Sequence, residues 1–163
     1  MAARTESREA TTLTLPSDRE ILMTRVFNAP RRLVFKAHSS CEHMKHWWGP
    51  REYSFASCTI DFRPGGAWRI VQRGAKGDEF GFSGVFKEIV EPERIVWTFQ
   101  FEGDPQQGCE ETLTLEERGG KTILTARSVF PTAEGRDAMI KSGMEDGARE
   151  TWDRLAEYVK TLS

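Results

Sequence analysis

EFGFSGVFKEIVEPERIVWTFQF, residues 79–101, decides the fold. Phe80, Phe82 and Phe86 in its first half, and Ile95, Trp97, Phe99 and Phe101 in its second, recur with period two. Lys87 and Thr98 fall on the opposite parity, the pattern of a strand with one buried and one solvated face. Glu91-Pro92-Glu93 interrupts the run where a turn must reverse it, so the stretch reads as an antiparallel hairpin.

The same grammar extends in both directions. From Tyr53 to Phe130, β-rich runs alternate with turns and predict six strands, at 53–62, 66–74, 79–90, 94–102, 109–118 and 121–130. Arg63-Pro64-Gly65-Gly66, the segment 74–78, Gly103-Asp104-Pro105 and Gly119-Gly120 supply the other turns. Trp68 and Ile70, and Leu124, Ala126 and Phe130, continue the apolar parity, with Arg69 and Arg127 on the other. One face of the sheet is therefore aromatic and the other wet.

Ahead of this region, Glu20–Asn28 predicts a strand, and Ala29-Pro30 ends it and opens a short helix to about Ala37. Ser39 or Ser40 can cap a second short helix that must stop by Trp48-Gly49-Pro50. Residues 1–18 are polar and are expected to form a flexible tail before a single domain over 19–163. After Pro131, Ile140, Met144, Ala148, Trp152, Leu155, Val159 and Leu162 mark one stripe of a long helix. Gly143 and Gly147 predict a joint near Ser142-Gly143 or a close neighbour to its backbone. The sum is an α+β domain with a curved seven-stranded antiparallel sheet around a long C-terminal helix.

Composition removes several function classes. Across 163 residues, 23 Lys and Arg face 25 Asp and Glu, a balance that offers nucleic acid or anionic lipid no broad attraction. No apolar run approaches the ~20 residues of a membrane span, and the N-terminus lacks a secretory signal, so a cytoplasmic location is expected. Cys41, Cys58 and Cys109 lie in unrelated segments without Cys-x-x-Cys spacing and read as reduced thiols.

The motifs Asn28–Ala37 (NAPRRLVFKA), Trp47-Trp48-Gly49-Pro50, Asp61–Trp68 (DFRPGGAW), Phe82–Glu88 (FSGVFKE), Glu91–Thr98 (EPERIVWT) and Ser142-Gly143-Met144 occur in one order. Together they resemble the activator of heat-shock-protein ATPase homologue family, within the START-like (SRPBCC, birch-pollen-allergen-like) superfamily. The likeness covers roughly residues 20–162. It implies the helix-grip fold, and a superfamily of lipid-transfer domains, hormone binders and polyketide cyclases and aromatases. The eukaryotic activator carries a separate chaperone-binding domain ahead of this region; with ~18 residues before the first strand, none is expected here.

Candidate sites follow from residue chemistry. No Gly-x-Ser-x-Gly elbow, His-Glu-x-x-His pair or phosphate loop is present, and Gly77, Gly81 and Gly84 lack dinucleotide spacing, so no cofactor is expected. His38, Cys41, His43 and His46 are the densest set of metal-type ligands. On a helix Cys41 and His43 would project about 200° apart, so solvated histidines and no metal are expected. Trp47 reads as a plug beneath the short helices, Trp48 as plug or ligand contact, and Glu88 with Arg94 as an ion pair. Seventeen aromatic residues, more than a sheet–helix layer readily packs, point to a cavity for a hydrophobic or aromatic small molecule. Its expected lining is Trp48, Phe55, Trp68, Phe82, Trp97, Phe99, Met144 and Trp152, with no catalytic residue assigned. Two other readings stay open: a polyketide cyclase/aromatase-like enzyme, and a chaperone cofactor or stress-linked homodimer displaying an apolar patch at Trp47 and Trp48.

Overall fold

The computed structural model describes residues 11–163; residues 1–10 of the expected tail over 1–18 lie outside the described residues. The elements are β1 (Thr12–Thr14), β2 (Glu20–Phe27), α1 (Arg31–Lys36), α2 (Cys41–Met44), β3 (Ser54–Ile60), β4 (Ala67–Arg73), β5 (Glu79–Val90) and β6 (Arg94–Phe101). A 3₁₀ turn (Pro105–Gln107), β7 (Cys109–Arg118), β8 (Lys121–Val129), α3 (Ala133–Lys141) and α4 (Met144–Val159) complete them. The fold is α+β, with one antiparallel sheet ordered β1-β2-β8-β7-β6-β5-β4-β3 and C-terminal helices, consistent with a helix-grip arrangement.

The sheet has eight strands rather than the expected seven. The extra one is β1, in a stretch the sequence reading gave to the tail; it sets Thr12 opposite Thr24 of β2. Three residues are too few to show a period, and pairing with a neighbour makes the strand. The other strands lie within a residue or two of their expected bounds, because alternation and turn chemistry agree there. Gly84 of β5 is held close to β6: a Cβ on it would sit 1.8 Å from the Thr98 carbonyl oxygen, which accepts the Trp68 indole N–H at 3.1 Å.

Pro30 caps α1 in extended conformation and Ser40 caps α2, its hydroxyl accepting the His43 N–H. The expected long C-terminal helix is two helices. Gly143 takes φ 85°, the left-handed conformation that ends α3 and redirects the chain into α4. Glu145 and Asp146 then place negative charge in the first turn of α4, where the helix dipole favours it. Trp152, Leu155 and Val159 bury one stripe of α4 in the same core as Phe27, Trp68, Phe86 and Leu124 of the sheet. Each such side chain contributes about 1.5–3 kcal/mol by leaving water. A smaller cluster joins Met139 of α3 to Ile21 and Phe130.

Cys41 and Cys58 correct the reading of three reduced, unrelated thiols. The docking of α2 beside β3 brings their Cα atoms to 6.0 Å and they form a disulfide; Cys109 remains free. Disulfides persist in oxidising surroundings, so the cysteines no longer argue for a cytoplasmic location. No helix among the described residues is long and apolar enough to cross a membrane.

Candidate functional site

Between the inner face of the sheet and the C-terminal helices lies a cavity of about 590 Å³, within the usual range of small-molecule sites. Six of the eight expected lining residues meet around it: Trp48, Phe82, Trp97, Phe99, Met144 and Trp152. The other two lie elsewhere. Trp68 is 1% exposed and packs against Trp97 at 4.8 Å, wholly inside the core. Phe55 sits behind Trp48, its ring edge-on at 6.3 Å, and does not reach the cavity wall.

Trp47 and Trp48 both border the cavity but differ in burial. Trp47 is buried and its indole donates to the Ala37 carbonyl at 3.0 Å, which makes it the plug beneath α1 and α2. Trp48 is half-buried and turns to the cavity, edge-on to Phe82 at 5.1 Å. The loop that carries it is tied to α4 from both sides. Arg154 donates to the carbonyls of Gly49 at 2.6 Å and His46 at 3.1 Å, while the Arg51 N–H donates to Glu150 and its guanidinium to Glu157.

The polar part of the wall was not legible as a site. Glu111 of β7 stands directly opposite Trp97 of β6 and Ser128 of β8. Its carboxylate accepts the Trp97 indole N–H at 2.8 Å and the Ser128 hydroxyl at 3.1 Å. Burial raises its pKa, and these two hydrogen bonds only partly offset that. Cys109, two residues earlier on the same face, has its thiol pushed up by burial and by Glu111, so it stays protonated and a poor nucleophile. The available signal was parity: Glu111 shares its face with Leu113 and Leu115, and Ser128 with Leu124 and Ala126.

Of the three histidines expected to be solvated, His46 is exposed, His43 is half-buried and His38 is buried. His38 is 3% exposed, shares a hydrogen bond between Nδ1 and the Val34 carbonyl at 2.8 Å, and meets Trp47 edge-on at 4.8 Å. Burial lowers its pKa to about 4, so it is neutral where it lines the cavity. His43 and His46 instead flank Tyr158 of α4, the first by a 2.7 Å hydrogen bond and the second by ring stacking at 4.9 Å. Glu88 accepts from Arg94 at 2.6 Å, the ion pair read from the turn.

The family profile of the Activator of Hsp90 ATPase homolog 1-like protein matches residues 28–160, which takes in α1 to α4 and the strands β3 to β8. The chain belongs to this family. No curated protein matches it. Among solved structures, this chain is similar to a protein from Nitrosomonas europaea, at 25% identity and TM-score 0.81, covering 90% of this chain and 97% of that one. A protein from Rhodobacter sphaeroides shares the fold at 24% identity and TM-score 0.85, over 93% and 99% of the two chains. One from Arthrobacter aurescens does so at 21% identity and TM-score 0.84, over 94% of each.

Proposed function

We propose that the chain binds a hydrophobic or aromatic small molecule in the cavity between sheet and C-terminal helices, without catalysing a reaction on it. The observation that carries this reading is the wall itself. Trp48, Phe82, Trp97, Phe99 and Trp152 converge on one space of about 590 Å³ that the side chains leave unfilled, whereas interiors without a binding role close to crystal-like density. N-phenyl-1-naphthylamine, a neutral apolar dye, tests it. Saturable binding of one dye per chain, with a change in tryptophan emission from Trp48, Trp97 and Trp152, is expected. A folded protein that takes up no dye saturably would end this reading.

Glu111 favours a second reading, a polyketide cyclase/aromatase-like enzyme, because a desolvated carboxyl with a raised pKa can move a proton. An enzyme of that kind would lose turnover, but not substrate affinity, on Glu111→Gln. The chaperone-cofactor reading draws support from the family name. It loses the patch expected at Trp47, which is 2% exposed.

A further inference from the structure

We infer that the cavity selects an organic cation: a protonated amine on an apolar or aromatic body, its ammonium head seated at Glu111. The inference rests on the ligand-binding reading above and names its ligand class. Three observations carry it. The first is the sign of the lining. Glu52, Glu111, Asp146 and Glu150 all border the cavity, and among the described residues that line it there is no Lys or Arg. The basic group that does line it, His38, is buried, neutral and tied to a backbone carbonyl.

The second is the situation of Glu111. Its two hydrogen-bond donors, Trp97 and Ser128, are uncharged. Each carboxylate oxygen accepts one bond and keeps a second lone-pair direction, so an ammonium can be received without displacing either donor. Burial without a counter-charge disfavours the carboxylate, and a ligand cation supplies the missing charge. The third is the aromatic wall, whose ring faces attract cations and whose area desolvates the apolar body. An anionic amphiphile would meet the same wall with like charge and no partner.

The test uses the full chain at pH 7 with 4-phenylbutylamine, 4-phenylbutanol and 4-phenylbutanoate, three compounds of one body and different heads, each displacing N-phenyl-1-naphthylamine. The amine is expected to bind about tenfold or more tighter than the alcohol, the size of a charge-assisted hydrogen bond, with the carboxylate weaker still. Glu111→Gln keeps the shape, its amide oxygen still accepting from Trp97 while its amide N–H donates to the Ser128 hydroxyl in a reversed bond; it should abolish the preference for amine over alcohol, each affinity being read against that variant's own dye affinity. An alcohol or carboxylate that matches the amine, a dye the amine does not displace, or a preference that survives Glu111→Gln overturns the inference and leaves the ligand-binding reading standing. Absence of any dye binding removes that reading and this one together. Should Glu111→Gln fail to fold, the order of the three compounds on the unsubstituted protein decides.

Discussion

Arg25 of β2 and Asp153 of α4 form an ion pair between the inner face of the sheet and the helix that covers it. The arginine side chain is 5% exposed and the aspartate 42%. Thr11 accepts a further bond from Arg25 at 3.3 Å, and the Phe27 ring lies 5.3 Å from its guanidinium carbon. Asp153→Ala strands a buried cation. It should cost about 2 kcal/mol in urea unfolding, less than a fully enclosed pair because the carboxylate keeps contact with water. A loss below ~0.5 kcal/mol would show that Thr11 and Phe27 suffice.

Stability should respond to pH through two groups of opposite sign. His38 has its folded pKa lowered to about 4 from 6.5, so protons bind the unfolded chain first and stability falls as pH drops from 6.5 towards 4. The full effect is on the order of 3 kcal/mol. Glu111 has its folded pKa raised, so it contributes stability at low pH that is lost as pH rises above the ordinary carboxylate value of 4.5. Glu111→Gln should therefore raise stability at pH 7 and steepen the acid loss between pH 6.5 and 4.5. Chemical denaturation across this range, with NMR titration of the His38 ring, reads both; a His38 pKa near 6.5 would refute the assignment.

Reduction of Cys41–Cys58 should destabilise the fold by about 3 kcal/mol, the loop-closure entropy of a crosslink spanning a short loop. Melting with and without reductant measures the loss, and thiol titration of the unfolded, unreduced chain should find one free thiol, that of Cys109. Three would mean that the pair is open.

Gly147 lines the cavity, and a Cβ placed on it would meet only Pro50 Cγ, at an ordinary 3.6 Å. Gly147→Ala should be neutral to stabilising by up to ~1 kcal/mol, through helix propensity. Gly147→Leu extends into the space a ligand needs and should reduce dye affinity at least about tenfold with little change in melting temperature. A large fall in melting temperature with affinity retained would place the binding space elsewhere.

The sheet was legible because each strand repeats its face several times, as Trp97 and Phe99 do, and because Pro and Gly mark where it turns. Parity specifies a face without saying which part of it opens on a cavity, which is why Trp68 and Phe55 were grouped with Trp48 and Phe82. Arg25 and Glu111 share the parity of core residues, but a charged side chain on that parity does not by itself name a partner. Only the packing of α4 and the pairing of β6, β7 and β8 reveals their partners. The Cys41–Cys58 bond likewise depends on where a four-residue helix docks, a tertiary fact without local pattern.

The strand order has a kinetic consequence. Among the described strands, every neighbouring pair but one is consecutive in the chain, so β3 through β8 can zip hairpin by hairpin, each step closing a short loop. The exception is β2 against β8, where Phe27 lies opposite Thr122 with α1, α2 and β3 through β7 between them in the chain. That closure gains little until the hairpins have already shortened the effective loop. β2, with β1 already paired to its other edge, therefore joins the rest of the sheet late, because β8 leaves the ribosome well after it. Until β8 emerges, the side chains of Ile21, Met23 and Phe27 wait without the rest of their sheet, and in that interval their apolar face is open to aggregation.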